Sequence, residues 1–334
     1  MQLPYIYRVT KYDPADRDDH GHYIGVEDTT SDHGETEAAY LQAVKAFAAD
    51  TGIDRLSVRE PQVSSFVHFG VEAPLDGFGL DGVLAGGLAG FHDGAEVSLH
   101  IASELVRLML RDSGACCRLE AEGAFTVHVG WDQYLYVGSC RPCHRALART
   151  RKLGLFPERI DVSPHAFEPE EDGVLRPGDD EFWAGVRRTV ADGRAGLLEE
   201  MYVQNASRWH RLTPDTVDAV RAALAPRARL AVWPDLSSDV AAVLGALPAE
   251  GLVEGVWQDK DGRMHSAVAD EDTYPELAAR MADADAASLL SMYADDRVPL
   301  LSAVMPDSDG VLRARWQADL SVGDLARGSL DSNG

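Results

Sequence analysis

Between Phe125 and Val137 the side chains alternate and then turn back. Phe125, Val127 and Val129 are apolar, Thr126 and His128 between them are polar, and Gly130-Trp131-Asp132-Gln133 leads into Tyr134-Leu135-Tyr136-Val137. A period of two on either side of a short turn predicts an antiparallel hairpin with one apolar face. An isolated hairpin is marginal in water, so further elements must cover that face. Cys117 to Glu122 supplies a third strand ending at Gly123, and two helices flank the group. The first is capped by Ser98 and carries Ile101, Leu105, Val106, Leu108 and Met109 on one wide stripe. The second runs from Arg141 to Leu155, with Gly154 at its end.

The remaining pattern repeats this mixture. Tyr5 to Val9 reads as a strand, and Tyr40, Val44, Phe47 and Ala48 share a helix face that stops at Gly52. Leu56–Val63 and Phe66–Val71 read as two strands, with Pro61 restricting the first to an edge or an early end. Phe182 to Tyr202 reads as a helix interrupted by glycines, and Thr213-Pro214-Asp215 opens another. Leu230–Trp233 follows as a strand, Ser238–Leu247 as a helix, and Leu252–Gln258 with Met264–Ala269 as a hairpin. Pro275–Leu290 reads as a helix, and Pro299–Met305 and Val311–Trp316 as final strands. Asp259-Lys260-Asp261-Gly262 and Asp307-Ser308-Asp309-Gly310 both end in the Asp-Gly turn signal. The predicted fold is a mixture of α+β and α/β in two sub-domains, each with helices packed on a mainly antiparallel sheet. The first spans 1–160 and carries the hairpin and a basic helix. Residues 161–181, acidic and containing three prolines, read as a linker; 182–318 form the second sub-domain and 319–334 a tail.

Charge narrows the function classes. The 334 residues hold 55 Asp and Glu against 31 Lys and Arg, a net charge of -24 that opposes broad contact with nucleic-acid phosphates or anionic membranes. The excess is uneven. Asp13 to Glu37 holds nine acids and one base, whereas Ser139 to Ile160 holds six bases and only Glu158 as an acid, a local +5. Arg141, Arg145, Arg149, Arg151 and Lys152 lie on the predicted basic helix, and Trp131, Tyr134 and Tyr136 just precede it. Aromatic rings beside a cationic helix suit stacking and phosphate contact on a single-stranded RNA. Equally, the helix can serve as an internal partner for the acidic runs. Neither an export signal nor an apolar run long enough to span a membrane is visible, which predicts a cytoplasmic protein.

The four cysteines, Cys116, Cys117, Cys140 and Cys143, are clustered. Cys140-Arg141-Pro142-Cys143-His144 follows a strand and opens a helix, an order that locally resembles the thioredoxin active site and would make Cys140 and Cys143 a redox pair. Zinc is the other chemical reading, with Cys117, Cys140, Cys143 and His144 as ligands. No cofactor is otherwise predicted. Covalent haem attachment matches the string formally but belongs to exported proteins. Packing of small side chains between a helix start and a hairpin accounts for the same residues without chemistry.

Other constellations are weaker. His20, His22 and His33 lie among aspartates in a run suited to a divalent metal or merely to water. His128, Asp132 and Ser139 supply the residue types of a nucleophilic triad. Trp209 reads as buried. Nucleophile-elbow, phosphate-loop and dinucleotide motifs are missing from the sequence.

Three strings, Tyr7-Arg8-Val9-Thr10-Lys11-Tyr12-Asp13-Pro14, Val127-His128-Val129-Gly130-Trp131-Asp132 and Asn205-Ala206-Ser207-Arg208-Trp209-His210, resemble those of a poorly characterised family of actinobacterial cytoplasmic proteins, over nearly the whole chain. Some members of that family carry an S1-type RNA-binding domain after a similar region; here eighteen residues follow Trp316, too few for an S1 barrel. The resemblance implies a link to RNA or translation and brings no catalytic residue. The sequence thus predicts a cytoplasmic binding or regulatory protein whose partner is a single-stranded RNA or another protein. The alternatives are a thiol-redox or zinc-dependent enzyme using Cys140 and Cys143, and an acidic inhibitor or immunity-type protein.

Overall fold

A computed structural model describes residues 3–20, 22–25, 34–68, 77–130, 133–163, 173–293 and 295–331. The chain divides into two units, Met1–Ser64 with Asp76–Glu168, and Ser65–Leu75 with Pro169–Gly334.

Unit 1 contains β1 (Tyr5–Thr10), α1 (Glu35–Thr51), β2 (Arg55–His68) up to Ser64, β3 (Glu96–Ser98), α2 (Leu99–Leu110), β4 (Ala115–Ala121), β5 (Phe125–Val129), β6 (Leu135–Ser139), α3 (His144–Lys152) and β7 (Phe156–Ile160). Its sheet runs β2-β4-β5-β6-β1-β7, with β3 on β2, and every ladder is antiparallel. The expected hairpin is β5–β6, with Val127 opposite Val137 and Val129 opposite Leu135. Side-chain parity then sorts the sheet. Val9, Tyr7, Leu135, Val137, Phe125, Val127 and Leu119 are buried on one face, under Tyr40, Val44 and Phe47 of α1 and Leu105 and Val106 of α2. On the opposite face a polar row crosses the strands in register: Arg118 with His128, Tyr136, Arg8 and Glu158. Several contacts hold this row. Arg118 donates to Glu60 at 3.2 Å, His128 stacks on Tyr136 at 5.2 Å, and Arg8 donates to Glu158 at 2.7 Å.

Unit 2 contains α4 (Asp180–Ala191), β8 (Leu197–Arg211), α5 (Val217–Ala223), β9 (Arg229–Trp233), α6 (Val240–Gly245), β10 (Val253–Gln258), β11 (Met264–Ala269), α7 (Tyr274–Met281), β12 (Ala286–Ser291), β13 (Leu301–Val304) and α8 (Val322–Asp331). β13-β9-β8 and β11-β10-β12 are both antiparallel groups. The fold is therefore α+β, with helices on antiparallel sheets. No helix of the described residues is long and apolar enough to cross a membrane.

Several expected elements change type or extent. Phe182–Tyr202 is not one helix, since α4 ends at Ala191 and Leu197 already belongs to the fifteen-residue β8. Gly193 at φ +68° supplies the break. Pro275–Leu290 likewise splits into α7 and β12, and Val311–Trp316 is not a strand. The expected strands Leu56–Val63 and Phe66–Val71 run together in β2 as far as His68, residues 69–71 lying outside the described residues; β2 absorbs Pro61 through a register shift between Arg59 and Gln62, with Glu60 at φ +50°. α3 starts three residues later than expected because Cys143 holds a left-handed conformation, φ +45°. Of the run 161–181, residues 164–172 lie outside the described residues; Val174 pairs with Ala318 and Pro177 with Val304 inside unit 2. α8 lies within the predicted tail.

Candidate functional site

The basic helix α3 packs along α1, turning Ala146 and Thr150 inward. That leaves Arg141, His144, Arg145, Arg149, Arg151 and Lys152 exposed. Cys143 provides no side-chain cap, so the amide of Ala146 is satisfied from another helix: it donates to Asp50 Oδ2 at 2.9 Å. Arg145 Nε donates to Oδ1 of the same carboxylate, and Arg149 Nη2 donates to Gln42. Two of the predicted cations are thus tethered to α1.

The predicted aromatic partners fare differently. Tyr136 is 1% exposed, with one ring face against His128, because its place on β6 falls in the polar row and not on an open edge. It is removed from any stacking surface. Trp131 lies outside the described residues. Tyr134 is half-buried, with its ring edge-on to Tyr12 at 6.1 Å and the Arg8 guanidinium 5.8 Å from its centre.

Tyr12 and Tyr23, which the sequence did not single out as ring partners, complete a cleft of 400 Å³ with Lys11, Glu35, Thr36 and Ala39, and with Leu153, Gly154 and Leu155 just beyond the C-terminal end of α3. The two tyrosine rings lie 4.6 Å apart, and Lys11 Nζ is 5.4 Å from the Tyr12 ring centre. The acidic run after β1 builds this wall. Asp13 accepts from the amide of Ala15 and starts a short turn at Pro14; Asp18 accepts from the amides of His20 and His22, and Arg17 and Tyr23 then pair as a bridge. Aspartates that read as a solvated charge run are turn formers here, and they fold Tyr23 back onto Tyr12.

Among the cysteines, Cys140 is exposed, Cys116 is intermediate, and Cys117 and Cys143 are buried; all are free thiols. Thr51 Oγ1 donates to the carbonyl of Phe47 and lies 3.1 Å from Ser139 Oγ, which lies 3.2 Å from Cys143 Sγ. Each hydroxyl has one proton to give. If Ser139 donates to Thr51, the Cys143 thiol is left to donate to Ser139, and the group closes as a buried packing unit. The position that a helix N-terminus would activate is held by Cys143 and served by the Asp50 carboxylate, while Cys140 stands outside it. The strand before the motif, β6, is antiparallel to both neighbours, unlike the parallel strand of a thioredoxin βαβ unit.

Cys117 is not brought to this group. It stands four residues along β4 from Ala121, the residue in the cross-strand row of Phe125 and Ser139, which is ~13 Å along the strand and ~10 Å across it. Burial pushes the Cys117 thiol well up from its ordinary value, and Cys116 and Glu60 add to the shift. Among the described residues no group of three or more His, Cys, Asp or Glu is placed to hold a metal ion. His22 contacts Asp18 at 3.5 Å, and His33 lies outside the described residues.

The triad arrangement fails on parity. His128 lies opposite Tyr136 on the polar face, and Ser139, an odd number of residues further along β6, lies on the helix face. Asp132 lies outside the described residues. Trp209 is buried as expected, its indole donating to Glu254 at 2.9 Å.

Comparisons with protein-family models, with curated proteins and with solved structures find no match. The geometry of the Tyr12–Tyr23 cleft and of α3 thus carries the functional reading alone.

Proposed function

We propose that the chain is a cytoplasmic RNA-binding protein of regulatory type, which takes a single strand along α3 and into the adjoining tyrosine cleft. The observation that carries this reading is the junction of the two: the 400 Å³ cleft with Tyr12, Tyr23 and Lys11 meets α3 at Leu153–Leu155, directly after Arg151 and Lys152. Phosphates on the helix side gain from exposed cations, and a base entering the cleft gains ~1–3 kcal/mol by stacking. A recognition surface of this kind tolerates a chain of -24, because only the local field meets the ligand.

Binding of unstructured RNA oligomers, measured across a salt series, tests it. Affinity should fall as salt rises, with a log–log slope near -0.7 for each phosphate contacted. Arg151→Glu combined with Lys152→Glu should flatten that slope by about one or two contacts. Tyr12→Ala should weaken binding by about tenfold while leaving the slope in place. A complex indifferent to all three substitutions, or no complex at low salt, would sink the proposal.

A further inference from the structure

A second cleft lies wholly inside unit 2. It measures 520 Å³ and runs between the last residues of β8, the face of α5 and the turn joining β10 to β11. That volume is in the range of small-molecule sites. Arg208, His210, Arg211 and Arg263 line it, together with Val220, Ala223 and Met264. No carboxylate lines it among the described residues.

Acids behind the wall position these cations. Glu200, completely buried, accepts from the amide of Ala225 at 2.7 Å and lies 2.7 Å from His210 Nε2, with Arg208 Nη1 at 3.7 Å. That contact engages Nε2 of the ring. Asp235 holds Arg211 through Nη2 at 2.7 Å. Arg263, on the turn opposite, is exposed and contacts Asp261 only at 3.5 Å.

We propose that this cleft binds a phosphate-bearing small molecule with a flat apolar moiety, of the size and kind of a nucleoside monophosphate. Arginines from two separate segments, the end of β8 and the β10–β11 turn, line the cleft and suit a phosphate through forked donors. Val220, Ala223 and Met264 receive the ring. This site is independent of the α3 surface and of the reading built on it.

Titration of the full chain, labelled with 13C at its methionine methyl groups, gives a local reporter once the Met264 signal is assigned with Met264→Leu. The probes are UMP, AMP, uridine and inorganic phosphate. UMP or AMP should shift the Met264 signal and bind at least ~10-fold more tightly than uridine or phosphate alone, since each of those carries one moiety of the two. Arg263→Glu, an exposed position that leaves the fold intact, should weaken UMP by about tenfold or more through charge reversal. His210→Gln, which still places a donor near Glu200, should weaken it by a smaller factor. Arg151→Glu with Lys152→Glu on α3 should leave UMP binding unchanged. Absence of a Met264 shift with every probe at millimolar concentration overturns the proposal. So does UMP binding that matches phosphate alone, or that follows the α3 substitutions and ignores Arg263→Glu.

Discussion

α3 in unit 1 and the centre of unit 2 both use arginine, with opposite results. On α3 the guanidinium groups stand in water, and only Arg145 and Arg149 lean on α1. In unit 2 Arg297 is drawn between two buried carboxylates, donating to Glu199 at 3.1 Å and to Glu254 at 2.7 Å, with its guanidinium 5.3 Å from the Trp233 ring centre. The indoles of Trp209 and Trp233 donate to the same acids. Burial pushes the Glu199 carboxyl up; Arg297 opposes the shift and Glu254 reinforces it. The difference lies in what neutralises the cation. Arg297 is consumed by the fold and has little left for a ligand, whereas the α3 side chains cost the fold little and keep their field outside.

Breaking the buried arrangement should have the largest effect. Arg297→Met leaves Glu199 and Glu254 facing each other without a cation, and urea denaturation should show a loss of ~3–5 kcal/mol. Adding Glu199→Gln should restore part of it; a single variant within ~1 kcal/mol of the parent would show that the cluster is not held by charge.

Next in size is Asp324, which receives Arg176 at 2.6 Å, Arg327 at 2.8 Å and the Ser321 hydroxyl. Burial raises its carboxyl, but these hydrogen bonds outweigh burial and hold it well below the ordinary range. A depressed folded value means that the stabilisation is complete above the unfolded pKa of ~4 and is lost as pH falls through the folded one. Asp324→Asn should therefore cost ~1.5–3 kcal/mol at neutral pH, and its unfolding curve should converge with that of the parent in acid. A constant gap across pH would show that the loss comes from packing.

Asp50→Ala removes the acceptor for Ala146 at the start of α3 and should cost ~1 kcal/mol, read as a lower melting temperature. Smallest of all, Arg151→Glu with Lys152→Glu should change stability by no more than ~0.5 kcal/mol, even though the same pair changes the salt dependence of RNA binding. A large loss of stability there would erase the contrast between the two regions.

Local signals carried much of unit 1. Ser98 accepts from the amide of Ile101, Gly52 takes φ +81° at the end of α1, and the β5–β6 hairpin keeps the register its alternation implied. Where the sequence misled, helix and strand shared a pattern. Leu197 and Leu198 continue the apolar spacing of α4, yet both are fully buried in β8, whose identity is set by pairing with β9 more than thirty residues on. β7 was hidden by Pro157, which tolerates a strand only because β1 is its one partner in unit 1. The cationic half of the α3 site was legible as a charge run. Its aromatic half was not, because Tyr12, Tyr23 and Leu153 meet only after the whole unit has closed.

The place of β1 carries a consequence for synthesis and truncation. The first strand of the chain is an interior strand of its sheet, seated between β6 and β7, and its Arg8 is 150 residues from Glu158. While the chain is being made, β1 can pair with β6 once Ser139 has emerged, but its other edge stays bare until Ile160 follows. Removing β1 would split β7 from the rest of the sheet, exposing two bare strand edges and leaving β7 without its partner in unit 1.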